Sequence, residues 1–235
     1  MEQNFILEAR DLTKSYMAGF TALDKLNIGI CRGRIVGLLG PNGSGKTTFI
    51  KLANGLLTPT DGEILIDGKA PGVETKKIVS YLSDRDFLPS WMTVDQAFGY
   101  YSDFFEDFRR DKAEDMTSAL GIKLKSKIKT LSKGNREKIA LILTMSREAK
   151  LYLLDEPIAG VDPATRDYIL NTIISNYAEN STVIISTHLI ADIESVLNDV
   201  IFIKNGKLEM YRSAEEIRET EGKSVDALFR EVYKW

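Results

Sequence analysis

The chain has little of what marks oxidative or metal chemistry: among 235 residues there is one cysteine, Cys31, and one histidine, His188. A single cysteine excludes an intramolecular disulfide and fits a reducing compartment. Cys31 itself reads as a small, half-buried strand residue rather than a reactive thiol. No run approaches the roughly eighteen consecutive apolar residues of a membrane-spanning helix. Met1-Glu2-Gln3-Asn4 is not a basic segment leading into an apolar stretch, so no secretory signal is expected either. Basic charge is short as well. With 31 Lys+Arg against 34 Asp+Glu the formal net charge is −3, which argues against a broadly basic nucleic-acid surface and leaves room only for a local patch. Repeats and low-complexity tracts are missing. What is there, 43% hydrophobic and 28% charged residues, describes a soluble globular class, long enough for one large domain or one with a small inserted lobe.

The most informative stretch present is Gly40-Pro41-Asn42-Gly43-Ser44-Gly45-Lys46-Thr47, followed by Thr48. It satisfies every fixed position of the phosphate-binding pattern G-x-x-x-x-G-K-[ST]. An apolar run, Ile35 to Leu39, precedes it, and a helix-compatible segment, Thr47 to Leu57, follows. In that context the glycines let successive N–H groups point inward at phosphate oxygens, and the helix N-terminus adds positive potential. Lys46 is expected at the β- and γ-phosphates and the Thr47 hydroxyl on Mg²⁺. The chain therefore reads as a binder of a nucleoside triphosphate.

Patterning around this loop alternates strands and helices. Short or period-2 apolar runs predict strands at Phe5 to Ala9, Thr21 to Leu26, Asn27 to Ile30, Gly62 to Lys69 and Ile78 to Leu82. Helical spacing then takes over at Thr93 to Phe105, Asp111 to Leu120 and Ser132 to Arg147, the last with an apolar face at Ile139, Leu143 and Met145. Strands return at Leu151 to Leu154 and Thr182 to Ser186, separated by helices at Pro163 to Tyr177 and Leu189 to Leu197. Asp199 to Lys204 and Lys207 to Tyr211 predict a hairpin about Asn205-Gly206, and Ser213-Ala214-Glu215-Glu216 a capped, polar helical tail. Such alternation implies an α/β fold with a parallel sheet covered on both faces, and a helix-rich lobe inserted between two core strands.

A second site is expected where Leu151-Tyr152-Leu153-Leu154 ends in Asp155-Glu156. A buried strand delivers both carboxylates at its C-terminal edge, where ligands of open α/β sheets bind. Asp155 is placed to hold the Mg²⁺ shell, and Glu156 to orient and polarise an attacking water. Between the two sites Leu131-Ser132-Lys133-Gly134-Asn135 forms a turn into the helix from Ser132. Ser132 and the Gly134 backbone are a donor cluster suited to a phosphate.

The order of phosphate loop, signature turn, acidic strand, Ala159-Gly160-Val161-Asp162 and Ser186-Thr187-His188 resembles the ATP-binding-cassette family over nearly the whole chain. The resemblance implies a mainly parallel core sheet (about 1–84 and 148–211), an N-terminal antiparallel β subdomain, an inserted helical subdomain (about 85–147) and a helical tail (about 212–235). It implies that Tyr16, thirty positions before Lys46, stacks on adenine, and that His188 contacts the γ-phosphate and the attacking water. It also implies that Asp162 lies in a loop between subunits, and that Ser132 and Gly134 meet the γ-phosphate held by a second cassette. ATP and Mg²⁺ are the expected cofactors, and ATP hydrolysis with dimer closure the expected activity.

Two departures bear on that expectation. Lys133 and Asn135 stand where the signature Leu-Ser-Gly-Gly-Gln has its first paired glycine and its glutamine. Asp84 stands where a Mg²⁺-ligating glutamine is usual. A carboxylate about 5 Å from phosphate charge costs roughly 3 kcal/mol at an effective dielectric of about 20, which direct ligation of Mg²⁺ would offset. Asp84 reads either as such a ligand or as a solvated loop acid.

The segment after Asp84 is aromatic: Phe87, Trp91, Phe98, Tyr100, Tyr101, Phe104, Phe105 and Phe108. Some of these pack the lobe. The rest, with Pro89 and Trp91, are expected to line an apolar groove for a helix of a separate transmembrane permease subunit. The leading reading is thus the ATPase subunit of a membrane transporter, of export or antimicrobial-resistance type, at the inner face of the cell membrane and paired with a second cassette. No nucleic-acid partner is expected. The alternatives are a soluble cassette acting on ribosomes or DNA, and a regulatory cassette that binds ATP and hydrolyses it weakly.

Overall fold

The computed structural model describes residues 4–178 and 180–233. Its centre is a six-stranded sheet in the order β5-β6-β7-β3-β8-β9. The strands are β3 (Ile35–Leu39), β5 (Val79–Leu82), β6 (Leu151–Asp155), β7 (Thr182–Thr187), β8 (Asp199–Lys204) and β9 (Lys207–Ser213). The first five are mutually parallel; β9 returns antiparallel to β8. Strands covered on both faces need apolar residues throughout, and every residue of β3 and β6 is buried. The two faces separate by parity. Ile35 and Leu39 join the cluster built with Ile169, Ile173 and the C-terminal helices, whereas Val36 and Leu38 join the one built with Phe49, Ile50 and Leu52 of α1 (Lys46–Ala53).

Beyond α1 lies an antiparallel sheet, β2-β1-β4, formed by β1 (Phe5–Ser15), β2 (Thr21–Cys31) and β4 (Asp61–Ile66). The two strands expected between Thr21 and Ile30 are one strand with an interruption. Lys25 and Asp11 adopt positive φ (48° and 45°), and the pairing slips between Ala9 and Leu12. The Asn27 amide fixes the slip by accepting from the Asp11 N–H and donating to its carboxylate, both at 2.9 Å. A bulge of this kind shifts the period-2 pattern by one residue, which made one strand look like two. Cys31 also differs from expectation: at the end of β2 it is exposed.

Between β5 and β6, which are neighbours in the sheet, the chain leaves the core to form a helical lobe. It consists of α3 (Val94–Phe104), α4 (Arg110–Ala119) and α5 (Lys133–Met145), after the short α2 (Val73–Lys76). Phe98, Phe108, Ile139, Ile142 and Leu143 form its own cluster. Thr93 and Ser132 cap α3 and α5 by accepting from the Gln96 and Asn135 N–H groups. At the return to the core, the buried Arg147 guanidinium binds both Asp107 carboxylate oxygens (2.8 and 3.0 Å) and the Val79 and Lys77 carbonyls (2.5 and 2.9 Å). It also lies 3.9 Å from the Phe105 ring centroid.

α6 (Pro163–Asn176) follows the expected course, but the helix expected to reach Leu197 stops as α7 (Ile190–Ile193). Asn198 is drawn into the sheet instead: its side chain accepts from Ile35 N–H at 2.7 Å and its backbone N–H donates to Ile35 O at 2.9 Å. The tail, α8 (Ala214–Glu221) and α9 (Val225–Val232), is polar only outward. Ile217, Val225, Leu228 and Tyr233 are buried in the main core cluster. Among the described residues no helix is long and apolar enough to cross a membrane.

Candidate functional site

The C-terminal ends of β3, β6 and β7 open onto one cleft of about 460 Å³, lined by Asn42 to Thr48 together with Phe20, Ala22, Asp84, Glu156, Ala159 and His188. Its floor is the loop from Gly40 to Gly45. Gly45 has φ of +111°, and a Cβ there would sit 2.5 Å from the Ala22 carbonyl oxygen; at Gly40 a Cβ would meet the Ile203 carbonyl at 2.4 Å. Backbone conformation at one position and space at the other thus require glycine.

Lys46 is buried, and its ammonium donates to the Gly40 and Pro41 carbonyls at 2.8 and 3.2 Å. Burial pulls its pKa down, with the Glu156 and Asp155 charges opposing. The Glu156 carboxylate lies 3.8 Å from Lys46 Nζ through one oxygen and 3.0 Å from His188 Nδ1 through the other. Glu156 has a positive φ of 51°, a conformation uncommon for non-glycine residues that often marks functional sites. Its N–H donates to the Ser186 carbonyl at 3.0 Å and to Ser186 Oγ at 3.1 Å.

Asp155 lies directly before it, fully buried at the end of β6. One carboxylate oxygen accepts from Ser186 Oγ (2.6 Å) and Thr47 Oγ1 (3.1 Å), while the other, Oδ2, is buried with no hydrogen-bond partner. Burial raises the Asp155 pKa, with the Ser186 and Thr47 hydrogen bonds opposing. A desolvated carboxylate with a free oxygen beside a threonine hydroxyl has the donor chemistry of a hard divalent cation site. Among the described residues no three His, Cys, Asp or Glu side chains converge as a ready-made metal cage.

Most of the sequence-predicted residues converge here. Asp84 lines the cleft, and its negative charge is among those that raise the Asp155 pKa. Tyr16 sits at its edge, with its hydroxyl 3.3 Å from Thr48 Oγ1. Ser132 and Gly134 do not line it; Ser132 is exposed at the start of α5. Asp162 caps α6 by accepting from the Thr165 N–H and hydroxyl at 3.0 and 2.7 Å.

Ser186, quoted above only as part of a motif, joins Asp155 to Glu156. Phe20, which the sequence does not single out, faces Tyr16 with ring centroids 6.5 Å apart and planes 21° from parallel. The pairing arises because Tyr16 N–H donates to Phe20 O at 2.8 Å around the turn Met17–Gly19. Two aromatics flanking a short Gly-containing turn were the available signal. A separate groove of about 410 Å³ is lined by Leu56, Val79, Tyr81, Phe87, Tyr101 and Phe105, among others. Pro89 and Trp91 do not line it, contrary to expectation; their segment is bonded to another edge of the lobe.

A family model described as ABC transporter matches residues 23–159. The chain is 31% identical over 209 residues to the SkfA peptide export ATP-binding protein SkfE of Bacillus subtilis (strain 168), covering 86% of this chain and 87% of that one. It is 34% identical over 197 residues to the probable multidrug ABC transporter ATP-binding protein YbhF of Escherichia coli (strain K12), covering 80% of this chain and 34% of that protein. Among solved structures, an ATP binding subunit of an ABC transporter superposes with a TM-score of 0.85 at 27% identity, over 97% of this chain and all of the other.

Proposed function

The chain belongs to the ABC transporter family of ATP-binding proteins, and from that premise we propose that two such cassettes close over shared ATP to drive a separate permease subunit. The observation that carries this reading is the division of parts in a single copy. Lys46, Glu156 and His188 line one cleft, with the buried Asp155 bonded to Thr47 behind it, while the expected phosphate donors Ser132 and Gly134 stay outside its lining. A second chain presenting its exposed α5 N-terminus would supply them.

Within one cassette, the loop N–H groups and Lys46 hold the phosphates, and the Lys46 ammonium is drawn from the Gly40 and Pro41 carbonyls onto phosphate oxygen. Glu156, steadied by His188 and by its hydrogen bonds to Ser186, orients the attacking water and accepts its proton. Thr47 and Asp155 would hold Mg²⁺, and Asp84, which lines the same cleft, would add a third oxygen donor. When bound, the ion neutralises charge on the β- and γ-phosphates. Tyr16 and Phe20 offer aromatic faces to the base. The apolar groove beside Phe87, Tyr101 and Phe105 receives a helix of the permease, which places the protein at the inner membrane face. The similarity to the peptide-export and multidrug relatives supports an exporter over a nutrient importer.

The test uses Glu156→Gln with ATP. Light scattering should show an ATP-dependent doubling of mass, and adding Ser132→Ala to both copies should abolish it. A Glu156→Gln protein that stays monomeric with saturating ATP, beside a wild type that hydrolyses ATP as a monomer, would overturn the shared-site reading.

A further inference from the structure

From Met116 to Arg136 the chain carries no carboxylate, although acids outnumber bases over its whole length; Lys123, Lys125, Lys127, Lys129, Lys133 and Arg136 all lie in this stretch. The six cations are not equivalent. Arg136 is paired with Asp86 at 2.9 Å, and Lys133 lies 3.7 Å from Glu137. Lys123, Lys125, Lys127 and Lys129 are exposed, and none has an ion-pair partner among the described residues. Ile122, Leu124 and Ile128, the apolar residues between them, pack into the cluster of the helical lobe, which leaves the ammonium groups outside.

This segment is stitched to the one before α3. The Ile128 N–H donates to Met92 O at 2.8 Å, the Lys129 N–H to Ser90 O at 3.1 Å, and the Val94 N–H to Ser126 O at 3.0 Å. Thr93 and Lys127 form an isolated bridge. Trp91 is thereby held between the two residues whose carbonyls these lysine-segment amides bind, and it is 65% exposed. An exposed indole and four unneutralised lysines share one edge of the lobe.

We propose that this edge binds anionic lipid headgroups directly. Lysine ammonium groups are flexible point charges that adapt to a fluid array of phosphates, each contributing at a negatively charged surface, and tryptophan prefers the headgroup region. An acidic polypeptide would call instead for the rigid fork of arginine, and the arginine of this stretch is already committed to Asp86. The indole supplies apolar contact and the lysines long-range attraction, the two components that together hold a peripheral protein. This contact is independent of the permease groove, which has different lining residues.

The experiment uses the purified full chain and protein-free vesicles, either phosphatidylcholine alone or phosphatidylcholine mixed with phosphatidylglycerol. Sedimentation should show binding to the mixed vesicles only, and loss of it at high salt. The fourfold variant Lys123→Gln, Lys125→Gln, Lys127→Gln and Lys129→Gln should partition on the order of 1,000-fold more weakly with its ATPase rate unchanged, which shows that it is folded. In a Trp235→Phe background Trp91 is the sole tryptophan, and its emission should shift to the blue on anionic vesicles. Equal binding to both vesicle types, or wild-type binding by the fourfold variant, overturns the proposal. So does binding to polyglutamate without binding to vesicles, which would assign the edge to an acidic protein.

Discussion

His188 Nδ1 and Glu156 Oε2 lie 3.0 Å apart, joining the ends of two neighbouring parallel strands over the phosphate loop. The Nδ1-protonated tautomer donates to the carboxylate and fixes its direction, while Lys46 approaches the other oxygen. His188→Ala should therefore lower kcat by about 100-fold or more while changing ATP affinity only a few-fold. Steady-state ATPase rates beside equilibrium nucleotide binding make the distinction; an equal loss in both would reassign His188 to binding alone.

Asp84 shares the cleft with Glu156 and adds negative charge near Asp155. Asp84→Ala is expected to raise the Mg²⁺ concentration needed for half-maximal ATPase activity, and Asp84→Gln to restore much of the wild-type dependence. A Mg²⁺ titration unchanged in the alanine variant would leave Asp84 as a solvated loop acid.

The near-parallel rings of Tyr16 and Phe20 predict a shared base contact. Each alanine substitution should weaken ATP binding by about 1–3 kcal/mol, roughly 5- to 150-fold. The double variant should lose less than the sum, because each ring orders the other. Stacking recognises any base face, so GTP binding should fall in parallel. Calorimetric titration of the three variants reads this directly; an unchanged affinity in Phe20→Ala would remove that ring from the site.

Burial raises the Asp155 pKa above its ordinary 3.8. The folded state therefore holds that proton more tightly than the unfolded chain does. Asp155 costs stability above its folded pKa, and the cost fades as pH falls through that value toward 3.8. Asp155→Asn removes the buried charge, so the nucleotide-free variant should melt higher at neutral pH, by about 2–4 °C for each kcal/mol relieved. It should also lose its Mg²⁺-dependent ATPase activity. The gap in melting temperature should narrow on acidification through the raised pKa; a lower melting temperature at neutral pH would refute the account.

The meeting of the phosphate loop, Asp155, Glu156 and His188 at one edge of the sheet was legible because each stands in a run of consecutive residues at the end of a strand. Backbone geometry there depends on local glycines and on strand termination, which neighbours in sequence largely set. Phe20 was harder to see. Its role depends on a hydrogen bond across a short turn, which brings an aromatic four residues on into line with Tyr16. The continuity of β2 was hidden by a bulge that depends on Asn27 meeting Asp11 in another strand. The length of α7 is limited by Asn198, which binds Ile35 at the start of β3. Sequence order groups Trp91 with the aromatics after Asp84, whereas hydrogen bonds from Ile128 and Lys129 to its neighbours Met92 and Ser90 fix its place. Each of these misses turns on a contact made after the chain has turned back on itself, between partners that period and propensity cannot pair.

The hold of Arg147 on Asp107 has a practical corollary for exchanging parts among relatives. A chimera with its junctions placed at the visible strand ends could take its lobe from one parent and its sheet from another. A cut between Met145 and Arg147 would then separate a guanidinium from the acid that neutralises it, stranding one or both in a dry seam at a cost of roughly 3–5 kcal/mol. Grafts that carry both residues from the same donor should express as folded protein, and mismatched ones should aggregate.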